Sequence, residues 1–106
     1  LRTAEKKGES FFCNAKDADA TGFKSNEGFT VQKGSRVAST VAPAFTDSNY
    51  AIIREALEQD GVIKGGVFQR NYGFSSTSAA ASVVLGNSSN GRLLWKTAGG
   101  VKLGDL

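Results

Sequence analysis

The fold is decided by the stretch from Asn71 to Thr97, which reads Asn-Tyr-Gly-Phe-Ser-Ser-Thr-Ser-Ala-Ala-Ala-Ser-Val-Val-Leu-Gly-Asn-Ser-Ser-Asn-Gly-Arg-Leu-Leu-Trp-Lys-Thr. It predicts the end of a strand, a capped helix, a polar turn and a second strand. Ser76 is a good N-cap because its hydroxyl can accept a backbone N–H one turn later, and Gly86 suits the left-handed position after the last turn. The apolar residues at three- and four-residue spacing are Ala80, Val83 and Val84. We expect the face that they share to pack on a sheet.

The start of this helix is crowded with hydroxyl groups, from Ser75 through Thr77 to Ser78. Free N–H groups and the positive end of the helix dipole gather at such a start, which makes it a candidate phosphate seat. The same residues also serve simply to cap the helix and to solvate its first turn. Both interpretations remain open at the level of the sequence.

Composition limits the class of protein. The chain has 106 residues, which predicts one domain over residues 9–106 after a linker or disordered lead-in at residues 1–8. Because it starts at Leu1 and contains no Met, we expect it to be part of a longer protein. The single Cys13 cannot form an internal disulfide, which together with the lack of a signal peptide favours a cytoplasmic location. No apolar run approaches the roughly 20 residues of a membrane-spanning helix.

Strand and helix patterns alternate along the rest of the chain. Predicted strands cover Ser10–Cys13, Gly28–Lys33, the residues after a Gly65-Gly66 turn, and Arg92–Thr97, and a further helix covers Asn49–Asp60. The segment from Lys16 to Gly28 is predicted as a loop. The order strand, strand, helix, strand, helix, strand predicts an α+β fold, with a small, mostly antiparallel sheet of about four strands and two helices on one face.

The helix at Asn49–Asp60 is predicted from its ends and its apolar stripe. Asp47 or Ser48 can cap its start, and Gly61 suits its C-terminal end. The apolar stripe comprises Ile53, Ala56 and Leu57, and the polar residues predicted to face water are Arg54, Glu55, Glu58 and Gln59. We interpret those carboxylates as a solvated helix face.

The residue types in the chain argue against a catalytic site and against a metal site. With no His and one Cys, a His-based triad, a Cys–His dyad and a Cys/His zinc site are excluded within this chain. Asp17-Ala-Asp-Ala-Thr-Gly22 begins like a calcium loop, but position twelve is Gly28 where that loop needs Glu, so a tight turn explains it better. We therefore expect no enzyme, no metal and no cofactor.

A family resemblance rests on several motifs. Gly28-Phe-Thr-Val-Gln-Lys-Gly-Ser35, Tyr72-Gly-Phe-Ser-Ser-Thr-Ser-Ala-Ala-Ala81, and Asn90-Gly91 followed by Trp95-Lys96 resemble domain of unknown function 4357. The resemblance covers roughly Ser10 to Leu103. It implies an accessory domain, often at the C-terminal end of GIY-YIG nucleases or of other restriction and DNA-processing proteins. The chain is also distantly similar to the RAMA module, for which binding of modified DNA is proposed.

The leading hypothesis is a non-catalytic accessory module that binds DNA for a linked nuclease or methylase. The formal net charge of +3 leans towards anionic partners. The residues predicted to contact DNA are Lys33, Ser35, Arg36, Arg70, Ser75, Ser76, Ser78, Asn90, Arg92 and Lys96. The alternative is a protein-interaction domain that docks on the catalytic part of the same parent chain, without nucleic acid or membrane.

Trp95 has two interpretations. If exposed, its ring could stack on a base. In Leu93-Leu94-Trp95, strand alternation would put Leu93 and Trp95 on one face, and a tryptophan in such a pattern is more often buried. The sequence favours the core interpretation.

Overall fold

Two sheets and three helices make up the part of the chain that the computed structural model describes, residues 10–15, 17–43, 48–87 and 89–105. Its elements are β1 (Phe11–Ala15), β2 (Ala18–Ser25), β3 (Gly28–Val31), α1 (Asn49–Gln59), β4 (Ile63–Lys64), β5 (Val67–Phe68), β6 (Tyr72–Phe74), α2 (Thr77–Leu85), α3 (Gly91–Leu94) and a 3-10 turn (Leu103–Asp105). A four-stranded antiparallel sheet has the order β1-β2-β3-β6, and β4 pairs with β5. The predicted α+β class is confirmed. The predicted lead-in at residues 1–8 lies outside the described residues.

Strand β2 corrects the predicted loop at residues 16–28. It pairs with β1 from Phe11 opposite Gly22 to Ala15 opposite Ala18. Its buried positions are occupied by small residues, which have low strand propensity and conceal the alternation. At Gly22 the small size is required, because a Cβ atom there would lie 2.4 Å from the ring of Phe29. Sequence reasoning missed this strand because its inner side carries small residues that make room for the ring of Phe29, and no large apolar residue of its own.

Aromatic rings form the centre of the core. The ring centroid of Phe29 lies 4.6 Å from that of Trp95 and 6.2 Å from that of Phe11. Trp95 is completely buried, and its indole N–H donates to the Thr77 carbonyl at 3.1 Å. The core interpretation of Trp95 is therefore confirmed, whereas Leu93, expected on the same face, is 52% exposed.

Helix α2 follows its predicted course closely. The Ser76 hydroxyl accepts the Ala79 N–H at 3.0 Å, and Gly86 ends the helix with a φ of 73°. Every residue from Ala79 to Leu85 is buried, and not only the predicted face. The helix packs against strands of the main sheet and against both α1 and α3, so it is covered on several sides.

Helix α1 confirms its predicted limits but not the exposure of Arg54. Ser48 is the N-cap. Arg54 was expected to face water and is 8% exposed, with its guanidinium donating to the carbonyls of Ala38 at 2.5 Å and Val83 at 3.3 Å. Its Nε also lies 3.7 Å from a carboxylate oxygen of Glu58. These acceptors allow the charge to be buried between α1 and α2. Ala56, expected in the buried stripe, is exposed.

The segment around Asn90 corrects a second prediction. The sequence pattern predicted a hairpin-like turn and then a strand from Arg92 to Thr97, but Gly91–Leu94 is the one-turn helix α3. The Asn90 side chain caps it by accepting the Arg92 N–H at 3.0 Å. Gly91 brings α3 against the start of α2, since a Cβ atom there would lie 2.2 Å from the carbonyl of Thr77. The Asn-Gly pair thus supplies a cap and a close approach of two backbones.

The short hairpin β4-β5 is joined to the main sheet. Its turn at Gly65 and Gly66 matches the prediction, and both glycines have positive φ, at 62° and 79°. One strand was expected after this turn, but the structure has two, β5 and β6. Arg36 pairs with Asp19 of β2 on one side and with Val67 of β5 on the other. Arg36 therefore joins β2 and β5 into one extended surface.

Candidate nucleic-acid interface

The main sheet has an inner face towards the helices and an outer face on the opposite side. Along β2, Ala18, Ala20 and Gly22 are buried, while Asp19 and Thr21 alternate with them and are more accessible. Side chains of successive strand residues point to opposite faces, and residues paired across antiparallel strands share a face. The pairing register therefore shows which side chains share the outer face.

One row of outer-face residues crosses the edge of the sheet at β1. Thr21 pairs with Phe12, Phe12 pairs with Lys96, and Lys96 pairs with Lys102. Two backbone hydrogen bonds, of 2.7 and 3.0 Å, hold Lys96 beside Phe12. Both lysines are exposed. This row places two cations and an aromatic ring next to each other, with neighbouring strands about 5 Å apart.

A second row runs through the strands on the other side of β2. Asp19 pairs with Arg36, Arg36 with Val67, and Val67 with Lys64. The neighbours of Arg36 along the chain, Ser35 and Val37, are buried, so Arg36 itself lies on the outer face. In these two rows the described cations are Arg36, Lys64, Lys96 and Lys102, and the described carboxylate is that of Asp19. Glu27 adds a second carboxylate to this face, because its side chain lies over Gly73, the partner of Thr30. With these four cations against two carboxylates, the outer face carries an excess of positive charge.

Two phenylalanines lie on the outer face between hydroxyl residues. Phe12 pairs with Thr21 and Phe23 pairs with Thr30, and both rings are half-buried. Phe12 and Phe23 are diagonal neighbours across β1 and β2, a relation that separates residues by about 7–8 Å. Within the described ranges neither ring makes an aromatic contact with another ring. They are the partly accessible counterpart of the core rings on the inner face.

The serines predicted at the start of α2 are largely occupied by internal hydrogen bonds. The Ser76 hydroxyl caps its own helix, and the Ser78 hydroxyl accepts the N–H of Gly91 at 3.1 Å. Ser75 is exposed at the end of β6. Asn90 and Arg92, at the start of α3, are brought next to this helix start by the Ser78–Gly91 contact. The structure thus gathers these five predicted residues at one end of the molecule.

Three other predicted residues, Lys33, Ser35 and Arg70, lie at the other end of the β3-β6 pair. The backbone N–H of Lys33 donates to the side chain of Asn71, which places Lys33 near Arg70. The Ser35 hydroxyl is buried and accepts the Thr21 N–H at 3.0 Å. These residues lie beyond the Val31–Tyr72 end of the strand pair, whereas the serines lie beyond the Phe29–Phe74 end. From Tyr72 to Ser76 the chain advances by roughly 13 Å at the rise of a strand.

The predicted site is therefore split, and two of its members belong to the outer face. Arg36 and Lys96 share that face with residues that sequence reasoning missed: Phe12, Thr21, Phe23, Lys64 and Lys102. The alternation of Asp19, Thr21 and Phe23 with small residues in β2 was the available signal for this face.

An open cleft of about 510 Å³ runs beside β1, lined by residues that include Phe12, Cys13, Leu94 and Lys96. Cys13 is 1% exposed, and burial raises its pKa to about 11, with the positive charge of Lys96 acting in the opposite direction. A thiol with such a pKa is almost entirely protonated near neutral pH and is a poor nucleophile. The cleft therefore offers no activated cysteine.

The described ranges lack both a metal-binding cluster and a membrane-spanning helix. They contain no group of three or more acidic or cysteine residues that could hold a metal ion. No helix in them has the length and apolar character needed to cross a bilayer.

The fold and its surface define a small α+β domain with helices on one face of an antiparallel sheet and a basic, partly aromatic face on the other. The model of the family described as domain of unknown function (DUF4357) matches residues 11–106, and the chain belongs to this family. Neither a curated protein nor a solved structure matches the chain.

Proposed function

We propose that this domain is a non-catalytic accessory module that binds DNA for a linked nuclease or methylase. The observation that supports this most directly is the set of four outer-face cations, Arg36, Lys64, Lys96 and Lys102, which outnumber the carboxylates of Asp19 and Glu27 on that face. Lysine and arginine side chains bind phosphate oxygens and position a protein on the nucleic-acid backbone. Contacts of this kind supply affinity without reading sequence.

The non-catalytic part of the proposal is supported by the residue inventory. The chain contains no His, and its one Cys is buried with a raised pKa. The Ser76 and Ser78 hydroxyls accept backbone N–H groups of the fold. Binding of a partner therefore explains the surface better than acid–base or nucleophilic chemistry within this chain.

A salt titration tests the proposal. Affinity for a labelled DNA should fall linearly with the logarithm of salt concentration, because phosphate contacts release counterions. Arg36→Gln and Lys96→Gln should each lower the magnitude of the slope by about 1. Lys24→Gln is a matched control, since Lys24 is also an exposed cation but pairs with Phe29 and therefore does not belong to the outer face. If the wild-type chain binds DNA at low salt no better than an acidic control protein does, the proposal fails.

A second candidate function is docking on the catalytic part of the same parent chain. Large apolar side chains that are exposed favour it, in particular Ile52 on α1 at 66% and Leu93 on α3 at 52%. Single exposed apolar residues are common on protein surfaces, so this support is weaker than that of the charged face. Binding of the catalytic part that is lost in Ile52→Ser and insensitive to Arg36→Gln would favour docking.

A further inference from the structure

We infer that the outer face binds single-stranded DNA, with bases stacking on Phe12 and Phe23 and phosphates held by the cations beside them. This inference rests on the proposed function and adds the form of the nucleic acid and the surface that receives it. It uses residues of which only Lys96 and Arg36 were predicted from sequence.

The side chains of Phe12 and Phe23 favour the binding of unpaired bases. Phe12 and Phe23 are half-buried on an otherwise polar face, and among the described residues no other ring covers them. Every base has a π-face that stacks on such a ring, whatever the sequence. In a duplex the neighbouring base pairs occupy those faces. A strand with unpaired bases is therefore the form of DNA that can use both rings.

The spacing of the two residue positions on the sheet suits a short run of nucleotides. Phe12 and Phe23 are diagonal neighbours about 7–8 Å apart, with Thr21 beside both of them on the same face of β2. Thr21, the partner of Phe12, adds a partly accessible hydroxyl group beside the rings, whereas Thr30, the partner of Phe23, is buried and its hydroxyl donates to that of Ser25. Two bases can therefore stack while the sugar-phosphate chain between them crosses a polar strip.

Cations lie next to the rings, where they could bind the phosphates that flank the stacked bases. Lys96 is the direct cross-strand neighbour of Phe12, and Lys102 is the next residue in the same row. On the opposite side of β2, Arg36 pairs with Asp19, two residues from Thr21. Positive charge therefore lies beside Phe12 and, next to Asp19, on the far side of β2, whereas the row of Phe23 leads through Thr30 to Gly73, over which the Glu27 side chain lies. An antiparallel sheet face with aromatic stacking residues and basic margins is a recurrent solution for binding single strands.

Anisotropy titrations of the chain with a labelled oligo(dT) and with a duplex of the same length, at one low salt concentration, test the inference. Wild type should bind the single strand more tightly. Phe23→Leu should weaken binding of oligo(dT) by about tenfold, the effect of losing one stacked base, and should change duplex binding by less than about twofold. Phe23→Trp should retain binding of oligo(dT). Leu103→Ile, at a partly buried position on the 3-10 turn, is a conservative control.

The fluorescence of Phe23→Trp reports stacking directly and does not depend on a loss of affinity in a destabilised variant. The one native tryptophan, Trp95, is buried, so the indole introduced by Phe23→Trp would be the one on the outer face. Addition of oligo(dT) should quench its fluorescence, whereas emission of the wild-type chain should not change. Urea unfolding of each variant confirms that it is folded at the titration temperature.

The two proposals fail in different ways. Duplex bound as tightly as oligo(dT), with Phe23→Leu changing neither affinity, would overturn the single-strand inference and leave the proposed function standing. The inference would also be overturned if oligo(dT) left the fluorescence of Phe23→Trp unchanged while binding with wild-type affinity. Absence of binding to both forms of DNA would overturn both proposals.

Discussion

Replacing Gly91 with alanine sets helix propensity against backbone packing at the contact between α2 and α3. Gly91 is the first residue of α3, where propensity alone predicts a gain of up to about 1 kcal/mol from Gly→Ala. The structure predicts the opposite sign. A Cβ atom at this position would lie 2.2 Å from the carbonyl carbon and oxygen of Thr77, and 2.6 Å from the N of Ser78.

The loss of unfolding free energy can be estimated from the separation of α2 and α3 that the added Cβ atom requires. Side-chain carbons essentially never approach another heavy atom within 3.0 Å, so the two backbones would have to separate by the difference between 2.2 and 3.0 Å. That separation would weaken the bond from the Gly91 N–H to the Ser78 hydroxyl and the bond from the Trp95 indole to Thr77, both 3.1 Å. Overpacking of about 1–3 kcal/mol and roughly 1 kcal/mol for each bond outweigh the propensity gain. We expect a net loss of about 3 kcal/mol.

Urea unfolding monitored by the fluorescence of Trp95 measures this change. With a slope of about 2 kcal/mol per molar urea, the midpoint of Gly91→Ala should fall by roughly 1.5 M. Gly99→Ala is the control, because the nearest atom outside its chain neighbours is the Thr97 hydroxyl oxygen at 3.9 Å. A midpoint for Gly91→Ala equal to or above that of wild type would refute the close approach of α2 and α3.

Three further predictions concern stability. Ser76→Ala removes the cap of α2 and should cost about 1 kcal/mol in urea unfolding, while Ser76→Asp should retain most of it. Arg54→Met leaves the carbonyls of Ala38 and Val83 without its guanidinium and should cost roughly 2–3 kcal/mol; an unchanged midpoint would contradict the burial of Arg54. Burial raises the pKa of Cys13 from 9.0 to about 11, so stabilisation present below pH 9 is lost as pH rises to about 11. The unfolding free energy of wild type should therefore fall relative to Cys13→Ala across that window.

The two long helices were predictable because their signals are local. Ser48 and Ser76 each accept a backbone N–H three residues later, and Gly86 takes the left-handed conformation expected after a helix. Such interactions need no distant partner, so the residue types themselves mark where each helix begins and ends. The same reasoning placed α1 and α2 within one residue of their observed limits.

The errors occurred where a distant neighbour decides the outcome. Strand β2 has small residues on its inner side because the ring of Phe29 crosses at Gly22. Arg54 is buried because carbonyls from two other segments accept its N–H groups. Neither partner is adjacent in the chain, and local propensity therefore favoured a loop and an exposed side chain.

The candidate interface shows the same division. Arg36 and Lys96 were predicted as phosphate contacts from charge and local context, but nothing near them in the chain joined them to Phe12 and Phe23. That grouping follows from strand register, since a shift of one residue would turn these side chains to the inner face.

The residue types thus decided, through hydrogen bonds spanning a few positions, that this chain has an α+β pattern with two capped helices. The tertiary structure decided which side chains share a surface, because strand pairing joins residues that the chain keeps far apart. Gly91 shows the distinction most clearly: its sequence context with Asn90 predicted a turn before a strand, whereas in the structure it begins a one-turn helix whose backbone packs closely against Thr77.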